Sequence, residues 1–356
     1  VATLYVASTE TFVGKSALCV GLLDRARHDG FRVGYMKPVS VLTEVDQPTG
    51  HDEDAIFVRG HFGLSEALDR IAPIQVTASA IEAILRDQRV DYVKKLRDAY
   101  VAVSRNKDLT VLEGANHWAE GTLIGLSADQ ISQMLQAPVL LVSRYHNAIT
   151  MDAILAVQRY LSDRLIGVVL TKIDPPQLEF VRSRAAPYLE QRGVPVLAAL
   201  PNDPILAGIM VADLLEHLGG QLIGHASWTE RMVDDMMIGA MGTEAALAYF
   251  RRQENKVVIT GGDRTDLQLV ALETSVSALV LTGNQRPSAA VIDRAEECQT
   301  PIIVVADDTG SVVERADALF GRARFKRQAK VDRMVALINE HLDFSRLYDQ
   351  VGLIAH

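Results

Sequence analysis

The sequence predicts an α/β fold, a parallel sheet with helices on both faces followed by a smaller α/β unit. Three observations carry this expectation. Near-continuous apolar runs alternate with stretches of helical periodicity, the pattern of strands covered on both faces by crossover helices. The first run ends in small polar residues and passes through Gly14-Lys15-Ser16 straight into a helix-period segment. A second alternating series begins after Gly219-Gly220 and Gly224.

In the first half the strand-like runs are 3–7, 32–36, 109–112, 138–142, 165–170 and 194–200. Helical stretches at 16–29, 81–104 and 150–161 lie between them. In the second half the runs are 256–260, 278–282, 301–306 and 318–320, with helical patterns at 266–274, 289–298 and 311–317. Apolar residues at 331, 334, 335, 338 and 342 close the chain with a helix period. These divisions predict a first domain over 1–220, a second over 221–330 and a C-terminal helical segment over 331–356.

Composition sets the class. The chain has 356 residues, 48% of them apolar and 23% charged, with a net charge of −9, an ordinary globular balance. Residues 1–220 hold 21 Lys and Arg against 26 Asp and Glu, and residues 221–356 hold 15 against 19. Neither half has the basic excess of a nucleic-acid binder. One local cluster (Arg322, Arg324, Lys326, Arg327, Lys330) reads as a solvated helix face or an anion contact. Cys19 and Cys298 sit in apolar stretches and build no disulfide framework or metal-ligand spacing. They predict core thiols in a reducing cytoplasm. No apolar run reaches about 18 residues and the chain opens on a strand, so neither a membrane span nor a signal peptide is expected.

The segment from Val6 to Ser16 has the layout of a phosphate-binding P-loop. Backbone N–H groups and the positive end of the helix converge on one point. In that layout Lys15 reaches the β/γ-phosphates and the Ser16 hydroxyl meets Mg²⁺. Thr9 stands where the pattern usually has glycine. Ligands of parallel sheets bind outside the carboxyl ends of the strands, so the residues leaving each run are the ones to read.

After the second run, Pro38 biases Lys37 toward an extended backbone. Lys37 thus suits a γ-phosphate or an anionic substrate, or is a solvent lysine at a turn. Asp52 and Asp54 precede a helix, where an acid caps the N-terminus or holds a hard cation. Asp54 is the metal candidate and Asp52 the cap or an outer-shell partner. Glu113-Gly114 ends the third run in the Walker-B manner, its acid placed for Mg²⁺ or for orienting water. His117 is either a base or a surface residue. Thr171-Lys172-Ile173-Asp174-Pro175 occupies the end of the fifth run, a position that commonly meets a nucleotide base, although a plain Asp-Pro turn explains the same residues. In the second half, Gly261-Gly262-Asp263-Arg264 forms an anion nest or a tight turn, and with Thr282-Gly283-Asn284 makes a small ligand site or a dimer contact.

Ser8-Thr9-Glu10-Thr11, Val13-Gly14-Lys15-Ser16, Lys37-Pro38-Val39, Asp54 and Glu113-Gly114 together resemble the dethiobiotin synthetase branch of P-loop NTPase-type proteins. Val258 to Asp266, with Leu281-Thr282-Gly283, resembles the DRTGG domain. In tandem the two resemble the N-terminal region of long bacterial phosphotransacetylases and stand-alone proteins of that build. The resemblance implies ATP and Mg²⁺ as ligands. It implies nucleotide contacts from Thr11, Val13, Gly14, Lys15, Ser16, Ala17 and Thr171, and metal contacts from Ser16, Asp54 and Glu113. Lys15, Lys37 and Glu113 match the catalytic groups. Three positions depart from the synthetase pattern. Ser8 replaces a glycine, Asn116-His117-Trp118 replaces a glycine-rich continuation, and Thr171 or Lys172 replaces the base-reading asparagine.

The expected function is a regulatory or sensory Mg-ATP-binding protein whose second domain transmits the signal or mediates assembly as a homo-oligomer, with a small anionic ligand. Two alternatives differ in class: an ATP-dependent ligase activating a small carboxylate or carbamate, and a scaffold with a relic loop. Acetyl transfer is not expected, since only 331–356 follows the second domain.

Overall fold

The computed structural model describes residues 1–41, 51–86, 90–321 and 328–353. The chain forms two compact units, divided between Asn202 and Asp203, and the C-terminal helices belong to the first.

The first unit is built on six parallel strands, β1 (Ala2–Ser8), β2 (Val33–Met36), β3 (Leu109–Glu113), β4 (Val139–Arg144), β5 (Leu165–Ile173) and β6 (Val196–Pro201). Their order is β2-β3-β1-β4-β5-β6. All six expected runs are strands, each shifted by a residue or a few at its ends. They are apolar throughout because both faces are covered, and Val6, Val111 and Val139 through Val142 are fully buried. Strand β1 lies between β3 and β4, so its loop opens at the middle of the sheet's carboxyl edge.

Helix α1 (Lys15–His28) follows that loop and packs on the sheet. Helix α2 (Glu53–Phe62) carries Asp52 at its N-cap, whose Oδ1 accepts from the Ala55 N–H at 3.0 Å. The stretch 81–104 is not one helix. It comprises Ala78–Leu85 and Tyr92–Ser104, the second capped by Asp91, which accepts from the Lys94 N–H at 2.8 Å. An aspartate that bonds the backbone ahead of it starts a new helix, a stop that apolar spacing alone hides.

The main sheet of the second unit has five strands, β7 (Gln221–Ile223), β8 (Asp235–Gly239), β9 (Lys256–Gly261), β10 (Val276–Thr282) and β11 (Ile302–Val304), in the order β7-β11-β10-β9-β8. Strand β7 is antiparallel to β11 and the other pairs are parallel. The run 318–320 is helical, inside Thr309–Gly321, rather than a strand. Val312, Ala316 and Leu319 recur at helix spacing and are buried in the core of this unit, which fixes the helical reading. Strand β8 reads Asp-Met-Met-Ile-Gly, too short and mixed to register as a run.

The division near residue 220 moves to Asn202/Asp203. Helix Val211–Leu218 buries Val211, Leu214 and Leu218 in the second unit's core, so it starts that unit. The expected C-terminal segment is part of the first unit: Gln328–His341 lies along α1 and β6. Its contact with α1 is close. A Cβ on Gly21 would stand 2.6 Å from Ile338 Cδ1 and 3.3 Å from Met334 Cγ. Of the basic cluster, Arg322, Arg324, Lys326 and Arg327 lie outside the described residues, and Lys330 is buried. Cys19 is fully buried and Cys298 partly so, and both are free thiols. Among the described residues no helix is long and apolar enough to cross a membrane.

Two outcomes follow from this packing. Replacing Gly21 by Leu overpacks the α1 contact and is expected to lower unfolding stability by about 1–3 kcal/mol in urea titrations; unchanged stability would mean the C-terminal helix does not dock there. The second concerns Lys256, which is fully buried and donates to the carbonyls of Gln253 at 2.9 Å and Ser275 at 2.7 Å. Burial pushes its ammonium from 10.5 down to about 8, opposed by Glu254. The unfolded chain therefore holds more protons between those values, and stability from this group rises as pH climbs from about 8 to 10.5. Unfolding measured across that window should show the gain in the natural protein and not in Lys256→Met.

Candidate nucleotide site

The loop between β1 and α1 is shaped by two left-handed residues, Phe12 at φ 58° and Gly14 at φ 88°. Gly14 is the N-cap of α1 and supplies no side-chain acceptor, so the first N–H groups of the helix are not capped from within. An uncapped helix start directed out of the sheet edge is a ready anion site. Thr11 and Phe12 are exposed on the loop, Gly14, Lys15 and Ser16 are half-buried, and Val13 and Ala17 are buried beneath.

Ser8 and Thr9 fit without opening the loop. The Ser8 hydroxyl donates to the Asn116 carbonyl at 2.9 Å, and the Trp118 N–H donates to the Ser8 carbonyl at 2.9 Å. The Thr9 hydroxyl donates to Ser143 Oγ at 3.0 Å, while its N–H donates to the Val142 carbonyl at 3.1 Å. Both side chains thus bond neighbouring strand ends instead of crowding the nest.

Lys15, Ser16, Lys37, Asp54 and Glu113 come together at one place. Ser16 Oγ lies 2.7 Å from Glu113 Oε1 and 3.2 Å from Asp54 Oδ2. Lys37 Nζ is 2.9 Å from both Asp52 Oδ2 and Asp54 Oδ2, and 3.8 Å from Glu113 Oε1. Lys15 Nζ donates to the Ala115 carbonyl at 2.8 Å. Of the two readings of Lys37, the solvent lysine fails: its side chain is 12% exposed. Asp52 acts both as helix cap and as partner of Lys37.

Two residues of this cluster escape sequence reasoning. Tyr35 is fully buried and donates its hydroxyl to Glu113 Oε2 at 2.8 Å. It looks like one more apolar strand residue, and only the β2–β3 pairing brings it alongside. Ala115 contributes a carbonyl, which no side-chain pattern encodes. Gly114 does carry a legible signal, because a Cβ there would stand 2.9 Å from the Tyr5 ring and 3.0 Å from the Val6 carbonyl.

Electrostatics follow from burial. Glu113 is held above the usual carboxylate range, first by burial, with Lys37 opposing and Asp54 adding to the rise. Burial pushes Asp54 the same way, but the Lys37 ammonium and the Ser16 hydroxyl bring it below its ordinary value. Burial disfavours the Lys37 charge, yet Asp54, Glu113 and Asp52 outweigh it and hold the ammonium well above 10.5. Lys15 is depressed, chiefly by burial, despite Glu113. Among the described residues no group of three or more His, Cys, Asp or Glu side chains is arranged to hold a metal ion.

Thr171 lies across the loop from this cluster. Its hydroxyl donates to the Val13 carbonyl at 2.8 Å. His117 is half-buried, and its Nδ1 accepts from the Ala119 N–H at 3.1 Å. In the second unit Arg264 forks onto Asp266 at 3.0 and 2.9 Å and donates to the Met241 carbonyl at 3.1 Å, which commits the guanidinium to the turn.

Removing the Lys37 ammonium leaves Asp52, Asp54 and Glu113 facing one another. Lys37→Met is expected to lose about 3 kcal/mol of unfolding stability at neutral pH, measured by urea denaturation; a loss within error would show that the carboxylates do not depend on it.

The AAA domain family matches residues 2–209 and the DRTGG domain family matches residues 213–319. A phosphate acetyltransferase of Nitratidesulfovibrio vulgaris is 26% identical over 370 aligned positions, covering 97% of this chain and 51% of that protein. One from Synechocystis is 21% identical over 371, covering 99% and 52%. The chain spans about half the length of these relatives. An ATP-dependent dethiobiotin synthetase of Pseudomonas aeruginosa is 27% identical over 203 positions, covering 56% of this chain and 89% of that protein. The solved CBS and DRTGG domains of the Clostridium perfringens pyrophosphatase regulatory region align at 20% identity over 40% of this chain and 68% of theirs, with a TM-score of 0.28. The chain belongs to the AAA-domain P-loop NTPase family of the dethiobiotin synthetase kind, here fused to a DRTGG domain, and matches the N-terminal region of phosphotransacetylase-family proteins.

Proposed function

We propose that the first unit binds a nucleoside triphosphate with Mg²⁺, ATP in the reading that the synthetase resemblance implies, and that the second unit uses this occupancy for regulation. The observation that carries nucleotide binding is the meeting of Lys15, Ser16, Asp54 and Glu113 beside an uncapped helix start. The donor set fits Mg²⁺, a hard cation that takes one or two carboxylates along with hydroxyl, water and phosphate oxygens. Ser16, Asp54 and Glu113 would hold it. Lys15, with Gly14 and the N–H groups up to Ala17, would hold the phosphates, Thr11 would line the exposed side, and Val13 and Thr171 would fix the loop.

The loop after Gly114 favours regulation over ligation. Part of it is committed to structure: the Ala115 and Asn116 carbonyls accept from Lys15 and Ser8, and His117 Nδ1 accepts from the Ala119 N–H. Phosphotransfer to a carboxylate or carbamate at Lys37 is the competing reading, supported by the placement of Lys37 between Asp54 and Glu113. Acetyl transfer, the activity in the names of the longer phosphate acetyltransferases, is not part of the reading proposed for these two units.

Thermal unfolding tests the binding. A Mg²⁺–nucleoside triphosphate at 100 times its dissociation constant is expected to add about 2.7 kcal/mol, and Lys15→Ala to abolish the gain. An equal shift in Lys15→Ala would sink nucleotide binding at this loop. Phosphate release should be indifferent to added carboxylates, amines and bicarbonate; stimulation by one of them, lost in Lys37→Ala, would establish the ligase instead.

A further inference from the structure

The two carboxylate oxygens of Glu113 meet different neighbours. Oε1 accepts from the Ser16 hydroxyl at 2.7 Å and lies 3.8 Å from Lys37 Nζ. Both of those partners also reach Asp54 Oδ2, so Oε1 faces the phosphate loop and the second acid. Oε2 accepts from the Tyr35 hydroxyl at 2.8 Å. Ser16 belongs to α1 and Tyr35 to β2, so the carboxyl group is held from two separate elements.

Tyr35 is a firm anchor. It is fully buried, as is Glu113, and the β2–β3 pairing sets it opposite Val111. Side chains alternate along a strand, which puts Glu113, two residues beyond Val111, on the face that Tyr35 shares. The two hydrogen bonds differ in what a cation does to them. Ser16 Oγ and Glu113 Oε1 both belong to the donor set that would hold Mg²⁺, so a cation there takes the place of the bond between them. Tyr35 stands outside that set and away from solvent. Turning Oε2 toward the cation would strand a buried hydroxyl, and an unpaired buried donor costs its full desolvation.

We propose that Tyr35 is a positioning residue that commits Glu113 to one oxygen toward the cation and thereby selects Mg²⁺ over Ca²⁺ at the nucleotide site. The assignment rests on the Mg²⁺–nucleotide reading above and adds its cation selectivity. Mg²⁺ demands a near-ideal octahedron of short bonds and keeps much of its water, so a carboxylate offering a single oxygen suits it. Ca²⁺ is larger, gathers more oxygens and often takes both from one carboxylate. With Oε2 tied to β2, Glu113 meets the first demand and not the second. Partners of this kind, bonded to a metal ligand rather than to the metal, fix the ligand's orientation.

Calorimetric titration of the full chain with ATP in EDTA, with Mg²⁺ and with Ca²⁺ reads the gain in affinity that each cation adds. In the natural protein the gain from Mg²⁺ is expected to exceed that from Ca²⁺ about tenfold, the lower end of what a partner of a metal ligand is worth. Tyr35→Phe keeps the ring and removes only the hydroxyl. It should close the gap to about threefold or less while leaving ATP affinity in EDTA unchanged. Equal gains in the natural protein overturn the proposal whether or not the variant folds. A gap that survives in Tyr35→Phe overturns it too, as does a variant that weakens all three titrations by the same factor. If ATP binds and neither cation adds to it, the Mg²⁺ reading falls with the selectivity and nucleotide binding stands. If ATP binds under none of the three conditions, the nucleotide reading falls as well.

Discussion

Glu113 ends a central strand with its carboxyl group fully buried, and burying such a group is tolerable only when its partners are held in place. Each partner comes from a different element. Ser16 is on the first turn of α1, Tyr35 on β2, and Lys37 just beyond it, tied in turn to Asp52 and Asp54 at the start of α2. The cluster therefore requires the order of β2, β3 and β1 and the entry angles of two helices at once. Gly114 belongs to the same constraint, since a side chain there would collide with Tyr5 and shift the Glu113 strand end.

The phosphate loop depends on that arrangement from one side and on β5 from the other. Lys15 and Ser16 are bonded to strand ends at Ala115 and Glu113, while Thr171 holds the Val13 carbonyl. The loop can thus carry a left-handed Phe12 and leave its helix start uncapped. Rigid anchoring on both sides is what an anion site needs, because donors already in position lose little freedom when the ligand arrives.

Much of the fold was legible because parallel strands buried on both faces must be apolar along their whole length. The six runs of the first half are all strands for that reason. The failures share a cause as well. The run 318–320 has strand-like composition, but burial of Val312, Ala316 and Leu319 on one face makes it helix. Strand β8 is only partly buried along its length, and its mixed composition conceals it. Helix periodicity does not say which core a helix joins, and Val211–Leu218 joins the second.

By itself the sequence determined the local features: where strands end, that Gly14-Lys15-Ser16 opens a helix, and that acids and a lysine leave the neighbouring strands. Those features depend on spacing within a few residues, which a sequence displays directly. Tertiary structure decided which of them meet. Tyr35 and Glu113 are brought together by strand pairing, Lys15 by a backbone carbonyl at Ala115, and the C-terminal helix by a gap at Gly21 that admits Ile338. Asp174 shows both levels at once. Its two prolines are written in the chain and remove the local donors. Only the fold sets the end of β5 beside the phosphate loop, where the Thr171 hydroxyl bonds the Val13 carbonyl.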